Sequence, residues 1–281
     1  MKIKHYSFLL LVLIAILTTS YFSVFTIPQK PEIISIEQSD IQNDWYCHQS
    51  TSQPEFLDDN GQLNLVVWNI HKQGDEGWQS SLESYGKKTQ LLMLQEVSLT
   101  PNFKQWLKTQ SWVANHVNAF KILGESSGVL NLSSALPNRA CAYTAVEPWI
   151  LLPKSALYAR YRLSNGSDLV TVNLHAINFT LGTEDFQNQI EQLENAVKKH
   201  KGPLIIAGDF NTWSESRWQE VRRRMSALLM NEVRFKPDNR RRFINDLAFD
   251  HVFYRNLNLV EASSPVTTAS DHTPMIAMFT L

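Results

Sequence analysis

Short apolar runs that stop on a carboxylate, an amide or an imidazole recur along this chain. "LVVWN" ends on Asn69, "LLMLQE" on Glu96, "VTVNLH" on His175, "LIIAGDFN" on Asp209 and Asn211, and "LAFD" on Asp250. A run of this length bounded by Gly or Pro, as in "GPLIIAGD", is the pattern of a strand buried on both faces and is too short for an ordinary helix. Such a chain has to build a covered sheet. The polar groups then fall just past the strand ends, where sheets of this kind present their chemistry.

Helical periodicity separates some of these runs. Thr100-Pro101 supplies a capping hydroxyl and a proline at the first helical position, with Phe103, Trp106 and Leu107 on one face. In "EDFQNQIEQLENAVKKH" the residues Phe186, Ile190, Leu193 and Val197 form one stripe, with acids leading and Lys198, Lys199 and His200 closing. Between them, "SSGVLNLSS", "PWILLPKSALYARYRL" and "SDLVTVNLHAINF" read as short strands broken by Gly, Pro, Asn and Ser. The expectation is one α/β domain with a mixed sheet or a pair of sheets. A composition of 43% hydrophobic and 19% charged residues is enough to fill its core.

The amino terminus differs in kind. After Lys2 and Lys4 come 22 residues, Tyr6 to Ile27, without an Asp, Glu, Lys, Arg or His, long enough to span a bilayer. Residues 1–27 therefore read as a membrane anchor or a signal peptide, 28–61 as a polar linker, and 62–281 as the folded domain, expected as a monomer. The basic residues before the apolar run place the domain outside the cytoplasm, in the periplasm or envelope; a cytoplasmic form is the alternative. Cys47 and Cys141, the only cysteines, exclude a zinc cluster or a disulfide scaffold. They can pair in an exported domain, and two separate thiols fit equally well. The formal net charge of −1 means that binding to nucleic acid or to an anionic membrane must come from a local patch.

A single polar residue at a strand end is ordinarily a cap or a turn former. The set as a whole, joined by Asp271 and His272 in "ASDHTP", holds acids for a hard cation, amides for a phosphate, and imidazoles that exchange protons near neutrality. Metal-assisted hydrolysis of a phosphodiester needs that inventory: positive charge, a water with a proton acceptor, and a donor to the departing oxygen. Oxygen donors without a cysteine cluster point to Mg²⁺ or Mn²⁺.

The ordered series "WNI", "LQE", "SSGV", "VNLH", "GDFN" and "SDH" resembles the motifs of the endonuclease/exonuclease/phosphatase superfamily, over about Leu63 to Leu281. "VNLHAINFTLG", "AGDFNTW", "RRRF" and "DHVFYRNLN" are similar, more closely, to its bacterial YafD-like branch. The resemblance implies a DNase I-like four-layer α/β sandwich, two packed mixed β-sheets flanked by helices, with the site at one edge. It implies that Glu96 is the main metal ligand and Asp271 supports the metal or its loop. Asn69 would hold phosphate or the carboxylate partner of the nucleophile, Asp209 would orient and deprotonate the water, and Asn211 would contact the phosphate. His272, steered by Asp250, would bind phosphate or move a proton, and His175 would protonate the leaving group. In repair enzymes of this group an acid stands two residues beyond the asparagine; here that place holds His71, which throws more of the metal binding onto Glu96.

Between the last two motifs lies a basic stretch: Arg217, Arg222, Arg223, Arg224, Arg234, Lys236, Arg240, Arg241 and Arg242. It reads either as a solvated face with acidic partners or as an anion-attracting wall. Trp213, Trp218 and Phe235 fill the core in the first reading and stack on bases in the second. Three functions follow: a Mg²⁺- or Mn²⁺-dependent phosphodiesterase with nucleic acid as the leading substrate, the same chemistry on a lipid or small phosphate ester at a membrane, and a non-catalytic envelope protein on the same fold.

Overall fold

The computed structural model describes residues 2–37, 40–50, 55–180 and 182–281. The first half of the chain comprises α1 (Lys2–Val24), β1 (Phe25–Thr26), β2 (Glu32–Glu37), β3 (Asp40–Trp45), β4 (Cys47–Gln49), β5 (Gln62–Asn69), α2 (Trp78–Gly86), β6 (Leu91–Ser98) and α3 (Pro101–Lys108). A run of strands follows: β7 (Val113–Ile122), β8 (Glu125–Ser133), β9 (Arg139–Val146), β10 (Pro153–Arg162) and β11 (Asp168–His175). The chain ends with α4 (Glu184–Val197), β12 (Leu204–Asp209), α5 (Glu215–Ala227), β13 (Asn231–Glu232), β14 (Asp250–Arg255), β15 (Asn258–Ser263) and β16 (Met275–Thr280). The helix over residues 101–108 begins as its sequence dictates, with the Thr100 hydroxyl accepting from the Phe103 N–H.

The strands form two sheets. One runs β15-β16-β5-β6-β8-β7-β2-β3 with β1 also on β7; the other runs β13-β14-β12-β11-β10-β9-β4. Alternation along β5 explains how they stack: Leu63, Leu65 and Val67 pack against Ile205 and Ala207 of β12 in the core between the sheets, while Val66 and Trp68 face outward onto Leu82 of α2 and Phe103 of α3. On the far side, Val170, Val172 and Leu174 of β11 meet the predicted stripe of α4. The result is the expected four-layer sandwich, helices outside and two mixed sheets within.

Two features of the amino-terminal region differ from expectation. Residues 28–61, expected as a polar tether, supply β2, β3 and β4 to the sheet edges. Ile33, Ile36 and Leu57 are buried there, each in a different hydrophobic cluster. Residues 38, 39 and 51–54 of that tether lie outside the described residues. Nor is the expected membrane-spanning segment supported: among the described residues no helix is long and apolar enough to cross a membrane. The apolar run does not stay helical to its end, since Phe25 and Thr26 leave α1 and pair with Ile122 and Lys121 of β7. Cys47 and Cys141, cross-strand partners on β4 and β9, form a disulfide.

The pairing register sets up the site. His175 lies opposite Asp209 in the parallel pair β11–β12, and Asp209 opposite Asp250 in the antiparallel pair β12–β14. Three neighbouring strands therefore end on one polar row. Gly208 permits this: its φ is +138°, and a Cβ there would stand 2.0 Å from the Leu174 carbonyl oxygen, so a side chain would force β11 and β12 apart.

Candidate active site

From the second sheet, His175, Asp209 and Asp250 arrive in that row. From the first come Asn69 at the end of β5 and Glu96 near the end of β6. Glu96 sits in a register break between Leu94 and Val97, with φ of +53°. This bulge turns the carboxylate out of the pleat toward the other sheet. Beneath it, Gln95 Nε2 donates to Asn173 Oδ1 at 2.7 Å, and Asn173 Nδ2 donates to the Leu94 carbonyl at 3.1 Å. These buried amides fasten the bulge to β11 below His175.

The carboxylate of Asp209 is held on both oxygens. Asn69 Nδ2 donates to Oδ2 at 3.1 Å and the Asn211 N–H to Oδ1 at 3.0 Å. Asn211 itself is turned inward, its Nδ2 donating to the Ala176 carbonyl at 2.9 Å. His175 Nε2 lies 3.5 Å from Asp209 Oδ2 and 3.7 Å from Glu96 Oε1. Across the row His272 Nε2 is 3.9 Å from the same Asp209 oxygen, and its Nδ1 is 2.7 Å from Asp250 Oδ2. The Trp68 indole N–H donates to the His272 carbonyl at 2.9 Å, and the Ser270 hydroxyl donates to the Asn69 carbonyl at 2.7 Å. The loop of the last motif is thus fixed to β5.

Two lysines complete the site. Lys154, near the start of β10, places Nζ 2.9 Å from His175 Nε2, and the Lys72 ammonium sits on Glu96 Oε2. Lys72 is carried on a turn in which His71, Lys72 and Gln73 all have positive φ, at 47°, 54° and 55°, a conformation that persists only where its surroundings enforce it. The electrostatic consequences are large. Burial, aided by Lys154, pushes His175 down to about 4 against the pull of Asp209 and Glu96. For His272 burial again favours the neutral form, but the Asp250, Asp209 and Asp271 carboxylates outweigh it and raise the imidazole to about 9. Burial would raise the Glu96 carboxyl, and His175, Lys72 and Lys154 hold it far below the usual range instead. Among the charges that lower it, His175 contributes most, followed by Lys72 and Lys154.

The family described as Endonuclease/Exonuclease/phosphatase matches residues 66–272. The chain belongs to that family. A UPF0294 protein of Vibrio parahaemolyticus is 49% identical over 278 residues, covering 99% of each chain. Among solved structures, an endonuclease/exonuclease/phosphatase of Bacteroides vulgatus has a TM-score of 0.60 at 16% identity, covering 78% of this chain and 99% of its own. ANGEL2, a 2',3'-cyclic phosphatase, has a TM-score of 0.64 at 12% identity, covering 83% and 99%. These names do not bear on the YafD-like branch.

Members of the family hydrolyse phosphate esters and generally use a divalent metal. The residues of this site fit such an ion at Glu96, whose ionised, half-buried oxygen already has a cation resting on it in the form of Lys72. Asp209, Asp250 and His272 also bring ligand atoms within 4.8 Å of one another. There, however, Asp250 and the proton of His272 are committed to each other, which makes this trio a proton-holding unit in preference to a metal cage. Asp271 lies apart from it, exposed at the mouth and paired with Arg241.

Three members of the basic stretch are enclosed by acids, carbonyls and rings, as in the first of its two readings, while Arg222, Arg223, Arg234, Lys236, Arg241 and Arg242 are exposed. Arg217 is fully buried, its guanidinium between the Phe186 and Trp213 rings, donating to the carbonyls of Ile177 at 2.6 Å and Asn178 at 2.9 Å. Arg224 is enclosed by Glu191, Glu194 and Glu220, and Arg240 by Asp238 and Glu232. Trp218 stacks on His251 at 4.6 Å and Phe235 is buried. Neither Lys72 nor Lys154 was identified from sequence. Lys72 directly follows "WNIH", a place a motif reader can inspect; Lys154 begins an ordinary strand and gives no local signal.

Proposed function

We propose that the chain is a Mg²⁺- or Mn²⁺-dependent phosphodiester hydrolase that works outside the cytoplasm. The observation that carries this reading is the unbroken succession Glu96, His175, Asp209 and His272, whose neighbouring side-chain atoms are 3.7, 3.5 and 3.9 Å apart although 176 positions separate the first from the last in the chain. A divalent ion on Glu96 would supply Lewis acidity toward a phosphoryl oxygen.

The protein groups divide the remaining work. Asp209, fixed by Asn69 and Asn211, accepts the proton of the attacking water. His272, a cation sustained by Asp250, donates a hydrogen bond to the phosphoryl oxygens as negative charge grows on them. On the leaving-group side, the neutral His175, 3.5 Å from Asp209 Oδ2, is placed to pass the proton that Asp209 accepts on to the departing oxygen, while the Lys154 ammonium beside it meets the substrate phosphate. The Cys47–Cys141 bridge supports an oxidising compartment. A lipid or small phosphate ester is favoured by the cations closest to the chemistry being two lysines, not an extended basic surface. A second reading, nucleic acid, draws support from Arg241 at the mouth, over the Phe249 ring at 5.5 Å.

The test is turnover of bis(p-nitrophenyl) phosphate, DNA, RNA and phospholipid vesicles by the full chain with Mg²⁺ or Mn²⁺. Hydrolysis that disappears with chelator and falls by about 10³-fold or more in Asp209→Asn is expected. Absence of hydrolysis on every substrate, or an Asp209→Asn variant as active as the native chain with the same circular dichroism, would overturn the reading.

A further inference from the structure

Beside the site lie apolar side chains that the described residues leave uncovered. Between β9 and β10 the segment reads Val-Glu-Pro-Trp-Ile-Leu-Leu, and Val146, Trp149, Ile150 and Leu151 are 51%, 60%, 40% and 56% exposed. Leu151 has φ of +56°, a left-handed conformation that costs a leucine roughly 1–2 kcal/mol and holds an apolar side chain out in solvent. Phe179, in the loop that follows His175, is 48% exposed. Glu147 makes these two loops one surface: fully buried, it accepts the backbone N–H groups of Asn178 and Phe179 through Oε1. The surface continues onto α1, where Tyr21 Oη donates to the Ile150 carbonyl at 3.1 Å and Phe22 is 69% exposed.

Position and charge narrow the occupant. Lys154, whose ammonium touches His175, lies three residues beyond Leu151, so whatever covers the tip abuts the catalytic row. In residues 146–154 and 176–180 the only acid is the buried Glu147, and the only base is Lys154. A polynucleotide would find no cationic track there, and a small soluble ester would gain nothing from an uncovered Trp and Leu. A bilayer surface matches each feature: a Trp at the depth of the headgroups, aliphatic side chains below it, an ammonium at the level of the phosphates, and an apolar helix lying alongside.

We propose that the 146–152 tip, with Phe179 and the end of α1, docks on a lipid surface, and that the ester cleaved is carried on a lipid headgroup presented from the bilayer plane. The substrate part rests on the phosphodiesterase reading; the docking part does not. Because the native cysteines are bridged, a thiol-reactive fluorophore can be placed at Trp149→Cys, at Phe179→Cys, and at Leu229→Cys as a control. Leu229 is 78% exposed and follows Leu228, whose carbonyl binds Arg255 at the opposite end of the sheet. The labelled full chains are mixed with vesicles of phosphatidylethanolamine and phosphatidylglycerol containing nitroxide-labelled lipid. Quenching at positions 149 and 179 but not at 229 is expected. No quenching at 149, or equal quenching at all three, overturns the docking. The readout needs no turnover, so a chain that hydrolyses soluble ester yet is not quenched loses this proposal alone. In the same vesicles, Trp149→Ser with Leu151→Ser should lower the ratio of lipid to soluble-ester turnover by roughly tenfold; an unchanged ratio overturns the assignment of a lipid-borne substrate.

Discussion

His175 and His272 are both buried and both face Asp209 Oδ2, at 3.5 and 3.9 Å, yet at neutral pH one is uncharged and the other is a cation. Burial acts on both in the same direction, and so does the shared carboxylate. What differs is the next neighbour: His175 has an ammonium at 2.9 Å, whereas His272 has a second carboxylate at 2.7 Å. One imidazole is thereby set to accept a proton and the other to present one, on opposite sides of a single acid. Identical residue types take different roles because their flanking strands deliver opposite charges, β10 a lysine and β14 an aspartate.

The sharpest way to break this comparison is to remove the cation. His272→Asn keeps a hydrogen-bonding side chain but no charge, and kcat should fall by about 10³-fold with circular dichroism unchanged. A loss below tenfold would show that the charge on His272 is idle. Next in size comes Asp250→Asn, which leaves His272 in place and withdraws the carboxylate that keeps it protonated. Turnover should fall by about 10²-fold at pH 8 and recover in part toward pH 6, as the imidazole regains its proton. A flat pH response would separate Asp250 from His272.

Much of this site was legible beforehand. Glu96, His175, Asp209 and Asp250 each terminate an apolar run, so a strand-end reading finds them, and family resemblance supplies the convergence that periodicity cannot. Apolar runs and the stripe of α4 declare an α/β layout only loosely, and the four-layer sandwich itself came from the family resemblance. Charge partners were the opaque part. Whether an arginine in a basic run points to solvent or into a pocket depends on residues distant in sequence: Arg217 is held by the carbonyls of Ile177 and Asn178, and Arg224 by acids of α4. The residues between 28 and 61 misled in the opposite way. Their polarity is that of a linker, but edge strands are half exposed and tolerate polar side chains on the solvent face.

The two histidines should also mark the stability of the metal-free protein, in opposite directions. His272 is raised from 6.5 to about 9, so the native state binds more protons between those values and stability is lost as pH climbs through that window. His175 is lowered from 6.5 to about 4; the unfolded chain binds more protons there, and stability is lost as pH falls through that range. Each contribution is on the order of 3 kcal/mol. Denaturant melts in chelator should show the alkaline limb flattened in His272→Asn and the acid limb flattened in His175→Asn. If either substitution flattens the other's limb, the assignment of charge states is reversed.

The smallest expected effect tests the neighbour that makes His175 different. Lys154→Met keeps the length of the side chain and removes the ammonium, leaving His175 with Asp209, Glu96 and the weaker Lys72 as its charged company. The imidazole should then move up from about 4, because the Asp209 and Glu96 carboxylates favour its charged form more than Lys72 opposes it. The acid window over which the metal-free protein loses stability should narrow accordingly. Turnover should fall by about tenfold, more in KM than in kcat, since a cation 2.9 Å from His175 Nε2 is placed to meet the substrate phosphate before the bond breaks. A variant with unchanged KM and an unchanged acid limb would mean that burial alone keeps His175 neutral. The opposing charges on β10 and β14 would then not be what distinguishes the two histidines.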